Sequence, residues 1–412
     1  MTYAVEFRDG RSRTFGEGAP QFVFVLRDES HLSWLLATDA TSAGLAFVRG
    51  DFDILGDPIA AVRYKLEQAD RGWKRSWFTL LARLAPRRLE SFVQSRQRAR
   101  DNIRFHYDRS DEFYRQFLDS RMVYSCAYFR DPAWSIDQAQ LAKLDHICRK
   151  LDLRPGERFF DIGCGWGALV IHAADAYGAQ ATGCTLSQNQ HEYAVATVHS
   201  RSLEERVELL ETDYRNITAR FNKIASIGMF EHVGRRRLGA YFRKVYELLE
   251  DDGLFLNHGI VRPQFVKDNP QTYFIQRKVF PGGELPHLSD VIREAENNGF
   301  EVLDVENLRP HYALTARSWV SRLLENSEAC RRAGGEETYR TWVVYLSTFT
   351  VNFEDGQTEV HQVLFAKRGK ASKARLTRDY MYQKVSRTSA EGGLTPSTSK
   401  RYIGNSRLAF PR

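Results

Sequence analysis

The chain has 412 residues, with 59 Lys and Arg against 52 Asp and Glu for a net charge of +7, and 42% apolar residues. That length exceeds the roughly 250–300 residues over which a single core keeps growing, so two domains are expected. Five cysteines without a CxxC pair exclude a disulfide framework and argue against structural zinc. No run approaches the roughly 18 apolar residues of a membrane span, and the opening MTYAVEFRDGRSRTFGEG lacks the apolar segment of a secretion signal. The expectation is a cytoplasmic chain whose positive surplus suits an anionic partner, either nucleic acid or acidic lipid.

Residues 1–80 place strand-like FVFVLRD beside LSWLLA and GLAFVRGDFDILGDPIAAV, which predicts a small amino-terminal α/β domain. Residues 81–125 are expected to form a helical linker and a covering segment. KLEQADRGWKRSWFTLLARLAPRRLESF interleaves Trp73, Trp77, Phe78, Leu80 and Leu81 with Lys74, Arg75, Arg83, Arg87 and Arg88. Such a helix can lay its apolar face among acyl chains while arginines meet lipid phosphates. The plainer alternative is a domain-packing helix with a solvated basic face.

Residues 126–368 form the larger domain. From residue 155, RFFDI, ALVIHAADAYG, AQATGC, QHEYAVATVHS, VELLETD, KIASIG, RRRLGAYFRKVYELL and GLFLNHGI alternate strand and helix patterns. That alternation predicts βαβ crossovers over a mostly parallel sheet. VIREAENNGF and TARSWVSRLLENSEACRR read as helices, and TWVVYLSTFTVNFEDGQTEVHQVLFAKRG closes the domain. The tail, 369–412, is rich in Lys, Arg, Ser, Thr and Gly and is expected to lack a packed core.

FFDIGCGWGALVIHAA, at 159–174, carries the first chemical signal. Apolar residues lead into Asp161, glycines follow at 163, 165 and 167, and an apolar helix comes next. This is a tight turn at the carboxyl end of a strand, where a nucleotide-like ligand can approach the backbone. Its GxGxG spacing is neither a phosphate loop nor the GxGxxG dinucleotide pattern. A charged amino-acid moiety would suit Asp161 and the free amides, although such a turn can also be purely structural. His258, at the tip of GLFLNHG, stands where open sheets bind ligands. Glu231 and His232 read equally well as a strand end with a helix cap. They lack a second ligand at a helical interval, so no metal is expected. Taken alone, Cys126 reads as a small buried hydrophobe.

Through DIGCGWG, GCTLSQNQ, IGMFEHVG, FPGGELP and HYALTARSW, with HYDRSDEFYRQFLD and YSCAYF, the chain resembles the cyclopropane-fatty-acyl-phospholipid synthase family and its mycolic-acid-modifying relatives. These are S-adenosylmethionine (SAM)-dependent enzymes. The resemblance spans residues 100–367, and the preceding region is similar to the smaller amino-terminal domain of the phospholipid-acting branch. It implies a Rossmann-like SAM-dependent methyltransferase domain with a mostly parallel sheet, joined to a smaller amino-terminal α/β domain. It also implies that Tyr124 and Ser125 flank the methionine portion of SAM, with Asp161, Gly163 and Gly165 in the turn beneath. Thr185 and Gln190 would contact the ribose, and Asp213 and Tyr214 would lie beside the adenine. Where many SAM-binding folds put an acidic residue after the second strand, this chain has Cys184 and Thr185, so ribose recognition would rest on neutral groups.

The same resemblance implies a bicarbonate pocket made by Cys126, Glu231, His258 with the following Gly259 and Ile260, and Tyr312. A cis alkene has no acidic proton, so it can act only as a weak carbon nucleophile toward the methyl of a sulfonium. The resulting carbocation would be stabilised by aromatic faces, with Tyr107, Tyr124, Tyr128, Tyr273 and Tyr312 as candidates. Loss of a proton from the new methyl to bicarbonate would close a cyclopropane. The expected substrate is an unsaturated phospholipid in an anionic membrane surface, met peripherally at the inner face of the cell membrane by a homodimer. Methylene or methyl addition without ring closure is the alternative within catalysis, and HYDRSDE stands closer to the SDDF form of the mycolic branch than to the HYDxGNDF form of the phospholipid branch. Nucleic-acid binding is the alternative from another class, and no recognisable nucleic-acid module supports it.

Overall fold

The computed structural model of the protein describes residues 1–29, 40–73, 111–266, 284–370 and 375–382. The basic stretch 74–104, Tyr107 and Tyr273 lie outside these residues. Among the described residues no helix is long and apolar enough to cross a membrane.

Alternating burial along FVFVL makes Phe22–Leu26 a strand with one face on a core. This strand, β3, joins β1 (Tyr3–Phe7), β2 (Ser12–Phe15) and β4 (Phe52–Gly56) in a sheet of order β2-β1-β3-β4. Helices α1 (Ala40–Arg49) and α2 (Pro58–Trp73) complete this amino-terminal layer. Pro58 suits the first turn of α2 because its missing N–H needs no partner there. Asp57 supplies the cap, its Oδ1 accepting from Ile59 N at 2.8 Å and Ala60 N at 3.3 Å.

Beyond the short helix α3 (Asp111–Arg115), the chain enters α4 (Ile136–Lys150), which opens with a capping box between Ser135 and Gln138. The strand and helix alternation then appears as β5 (Arg158–Ile162), α5 (Ala168–Tyr177), β6 (Gln180–Thr185), α6 (Gln188–Ser200), β7 (Val207–Glu211), β8 (Phe221–Ile227), α7 (Leu238–Leu248) and β9 (Leu249–Val261). It continues with α8 (Leu288–Asn297), β10 (Phe300–Asn307), α9 (Arg309–Glu325), α10 (Ser327–Gly334), α11 (Glu336–Glu354) and β11 (Glu359–Lys367). The larger sheet has seven strands in the order β10-β11-β9-β8-β5-β6-β7. Its strands are parallel from β7 to β9, and β11 runs antiparallel to both β9 and β10. Both faces are covered: Phe159 packs with Leu144, Val170 and Leu256 on one side, and its neighbour Phe160 packs with Phe242, Phe255 and Phe365 on the other. The chain leaves β5 toward β6 on one side and returns through β8 on the other, so the carboxyl end of β5 is the switch point where such sheets hold ligands.

Two features differ from the sequence reading. Among the described residues the amino-terminal layer shares its core with the larger domain: Phe22, Phe24, Phe47 and Phe52 belong to the same apolar cluster as Tyr312, Trp319 and Trp342. Helix α11 lies between them and is buried along most of its length. From this helix, the Arg340 guanidinium donates to Phe47 O at 3.0 Å and Phe52 O at 3.2 Å, and pairs with Asp53 and Glu336. Nor does the tail lack packing throughout: in 375–382, Met381 is buried in a core cluster and the Tyr380 hydroxyl donates to Lys150 O at 3.3 Å. Arg378 pairs with Asp304 at 2.5 Å, so one buried methionine and local charge pairs outweigh the segment's polar composition.

Arg340→Met removes four interactions and takes the guanidinium from two carbonyls, leaving Phe47 O its bond from Gly50 N and Asp53 its pairing with Arg27. Losing the hydrogen bonds to the buried carbonyls costs about 1–3 kcal/mol; the pairs with the half-exposed Asp53 and Glu336 add little. Limited proteolysis in rising urea should therefore cut within residues 1–69 at lower denaturant than in the wild type.

Candidate active site

The glycine turn is a geometric requirement. Gly163 has φ of 80°, and a Cβ there would lie 2.8 Å from Met229 Cγ. The Gly163 and Cys164 amides both donate to Cys184 O, at 3.0 and 2.9 Å, which ties the turn to β6. Beside it lies a cavity with about 220 Å³ of room for water-sized molecules. Tyr124, Ser125, Asp161, Gly163, Gly165, Thr185, Gln190, Asp213 and Tyr214 all border this one cavity.

Asp161 is buried, its Oδ1 has no protein partner, and burial pushes its pKa up to about 7 against the opposing charge of Lys143. An orphaned carboxylate oxygen at a cavity wall fits a cationic ligand. Thr185 Oγ1 donates to Gln190 Oε1 at 2.8 Å, which presents neutral polar groups at the end of β6. Asp213 caps the turn Tyr214–Asn216 by accepting from Arg215 N at 3.0 Å and Arg215 Nε at 2.8 Å. Tyr214 meets Tyr241 edge-on, with ring centroids 5.9 Å apart.

Tyr124 and Ser125 belong to a segment, 122–130, that is neither helix nor strand. Its shape is imposed by side chains from α4 and α9. Gln140 Nε2 donates to Ser125 O at 2.8 Å, and Lys143 Nζ to Ser125 Oγ at 3.2 Å. Thr315 Oγ1 accepts from Ala127 N, and His311 Nδ1 from Phe129 N, each at 3.0 Å. Lys143 also borders the cavity, and burial lowers its pKa to about 8. The sequence reading missed Lys143, Gln140 and Thr315. For Lys143 a signal existed, because it falls at four-residue intervals between the apolar residues Ala139 and Ile147 on the buried side of α4.

Cys126, Glu231, His258, Ile260 and Tyr312 lie off this cavity, although the chain neighbours Ser125 and His232 border it. Glu231 sits in a short turn, Phe230–His232, after β8. Its Oε1 accepts from Ile260 N at 2.7 Å and its Oε2 has no partner, while burial pushes its pKa up to about 7. Gly259 makes this approach possible, since a Cβ there would stand 1.8 Å from Phe230 Cε1. His258 is buried in β9, with Nδ1 3.1 Å from Gln362 Nε2 and with Nε2 unpartnered. Burial drives its pKa well down, so the ring is neutral. The buried Cys126 thiol has its pKa driven well up by burial and donates to Ala127 O at 3.3 Å. It is a protonated donor and not a thiolate nucleophile. Tyr312 packs on Phe353 at 4.7 Å and Phe349 at 4.9 Å, and Tyr124 on Trp319 at 5.1 Å.

Two sequence expectations are altered here. The Ile260 amide, expected to meet an anion, is already held by Glu231. Tyr128, expected to offer a ring face to a cation, stacks on His146 at 4.3 Å and on His311 at 4.7 Å. Its faces are thus engaged by imidazoles.

The model of the family described as mycolic acid cyclopropane synthetase matches residues 94–363. The chain belongs to that family. It is 38% identical over 365 residues to a probable fatty acid methyltransferase of Pseudomonas putida, covering 87% of this chain and 90% of that protein. That share is larger than residues 94–412 make up, so the likeness extends into the amino-terminal layer. Cyclopropane mycolic acid synthase 1 of Mycobacterium tuberculosis is 37% identical over 273 residues, covering 63% of this chain and 95% of that protein. Among solved structures, the cyclopropane synthase MmaA2 of Mycobacterium tuberculosis superposes with a TM-score of 0.63 at 32% identity, covering 65% of this chain and 98% of that one. Mycolic acid cyclopropane synthase CmaA1, complexed with SAH and CTAB, superposes with a TM-score of 0.62 at 35% identity, covering 65% and 98%. The fold is that of the SAM-dependent methyltransferases, and the protein is a lipid-directed methyltransferase of the cyclopropane synthase family.

Gly163→Val places a branched side chain at positive φ against Met229, two effects of about 1–3 kcal/mol each. SAM affinity measured by calorimetry should fall at least tenfold while circular dichroism stays native. A pH series supplies a second check. The ionised Asp161 carboxylate attracts a cationic ligand and the protonated form does not, so SAM affinity should decline as pH falls through about 7. In Asp161→Asn that dependence should be lost.

Proposed function

We propose that the protein transfers a one-carbon unit from SAM to the cis double bond of an unsaturated phospholipid acyl chain and closes a cyclopropane, with bicarbonate as the base. The observation that carries this reading is the pair of buried, unpartnered atoms His258 Nε2 and Glu231 Oε2, the second on a turn whose next residue, His232, borders the cavity. Buried polar atoms are nearly always satisfied, so an orphaned nitrogen and an orphaned carboxyl oxygen argue for a small polar ligand with both donor and acceptor character.

SAM bound along Tyr124, Ser125, Asp161, Thr185, Gln190, Asp213 and Tyr214 supplies a methyl activated by a sulfonium. Bicarbonate supplies a compact base that forms no tether to the chain. The protein's own part is to hold these reactants dry and to offer no competing nucleophile. Cys126 is kept as a thiol and not a thiolate, and His258 Nδ1 is occupied by Gln362 Nε2 at 3.1 Å, so each side chain can donate a hydrogen bond with its most nucleophilic form or atom withheld. Glu231, with a pKa near 7, can share an acidic proton with an oxyanion. In this arrangement an anion shares the Ile260 amide with Glu231 or displaces it. Tyr312 and Tyr124 bring aromatic faces, which favour positive charge nearby.

A phospholipid substrate is supported by the resemblance of the amino-terminal region to the smaller domain of the phospholipid-acting branch and by the net charge of +7, which suits peripheral attachment to an anionic membrane surface. A second reading, methyl addition without ring closure, is favoured by the 87% coverage by a probable fatty acid methyltransferase.

Purified protein incubated with methyl-labelled SAM and liposomes of cis-unsaturated anionic phospholipid separates the two readings. Mass spectrometry should show acyl chains heavier by one CH2, with cyclopropane protons by NMR. Label recovered as a saturated methyl branch, formed only with added reductant, would establish the second reading. Glu231→Gln should lower turnover roughly 100-fold while leaving SAM affinity within about twofold. Full activity of that variant in bicarbonate-depleted buffer would remove the proposed base.

A further inference from the structure

Three neighbouring strands carry a polar row across the sheet. In the register of β9, β11 and β10, His258 stands opposite Gln362 and Gln362 opposite Glu306. Residues directly opposite in antiparallel strands share a face, so the three side chains line up on one side of the sheet. Glu306 is committed elsewhere, pairing with His146 at 2.8 Å and Lys150 at 2.6 Å. Gln362 is fully buried and turns its amide toward the imidazole, with Nε2 3.1 Å from His258 Nδ1.

A neutral imidazole has one N–H, and the bond made by one ring nitrogen decides where the proton sits. With the Gln362 amide nitrogen toward the ring and its Oε1 turned away without a protein partner, Nδ1 is the acceptor and the proton belongs on Nε2; the amide orientation thus sets the tautomer. That Nε2 is the buried atom with no protein partner. We propose that Gln362 is a positioning residue that fixes His258 as the Nε2–H tautomer, so that the histidine presents a hydrogen-bond donor to the reaction's oxyanion. The opposite tautomer would turn a lone pair toward the anion and repel it. This inference rests on the anion site proposed above. It assigns Gln362 no contact with the anion: the residue acts only through the imidazole, as orienting partners of histidine ligands do elsewhere, where their loss costs 10–100-fold.

The test begins with the full-length wild type carrying imidazole-15N histidine, with the His258 signals identified by their loss in His258→Asn. A pyrrole-like Nε2 and a pyridine-like Nδ1 are expected, and a pyrrole-like Nδ1 would overturn the assignment without any variant having to fold. Gln362→Met keeps the length of the side chain and removes the donor. Its His258 should exchange between tautomers, and the bicarbonate concentration for half-maximal turnover should rise about 10–100-fold with SAM affinity unchanged. An unchanged tautomer with unchanged bicarbonate dependence would overturn the proposal. Wild-type turnover indifferent to bicarbonate would overturn the anion reading itself, a result read separately from the nitrogen shifts.

Discussion

Residues 122–129 are buried or half-buried without belonging to any helix or strand, and much of the site follows from that constraint. Backbone polar groups removed from water need partners, and this segment has no ladder to supply them. Asp119 answers Val123 N at 2.8 Å, Gln140 answers Ser125 O, Thr315 answers Ala127 N and His311 answers Phe129 N. Each such bond, if lost, leaves a buried group costing about 1–3 kcal/mol. Helices α4 and α9 are thereby held at fixed positions around the segment. Consecutive residues can then serve different surroundings, with Tyr124 and Ser125 on the cavity and Cys126 in the apolar cluster that holds Tyr312.

The same exclusion of water sets the electrostatics. Burial moves each ionisable group toward its neutral form: Asp161 and Glu231 upward to about 7, His232 downward to about 4, Lys143 downward to about 8, Cys126 upward and His258 downward. Acids and bases shifted in opposite directions share one cause, desolvation. The result is a set of hydrogen-bonding groups whose charged forms are disfavoured, with Lys143 still mostly protonated at neutral pH. The proposed reaction, which would build positive charge on carbon, is served by surroundings that keep Cys126 a thiol and bring aromatic faces, attractive to a cation, nearby.

What could be read in the sequence was local. The period of the strands and helices from residue 155 and the glycine turn after Asp161 lie within short windows, and the turn meets Thr185 and Gln190, which the family resemblance implied, at one cavity. The side chains that hold the site together gave weaker signals. Gln362 lies in a strand buried along nearly its whole length, so no alternation reveals which face it joins, and its partner His258 is 104 residues away. The engagement of the Ile260 amide by Glu231 depends on Gly259 admitting the Phe230 ring, a fit decided by tertiary packing. The stacking of Tyr128 likewise depends on His146 and His311, which come from two different helices.

The amino-terminal layer is bound into this arrangement through α11. Near one end of that helix Arg340 grips the carbonyls of Phe47 and Phe52, and near the other Arg63 of α2 pairs with Glu354 at 2.6 Å and with Asp355. Between them Phe349 and Phe353 pack on Tyr312. A mycobacterial synthase matched over 95% of its own length aligns with only 63% of this chain, so the catalytic unit of the family does not require such a layer. Here, however, the layer covers an apolar helix whose other side supports the aromatic wall of the site. Side chains packed at crystal-like density transmit a displacement instead of absorbing it, so a displacement of the amino-terminal layer is mechanically continuous with Tyr312 through Phe349 and Phe353.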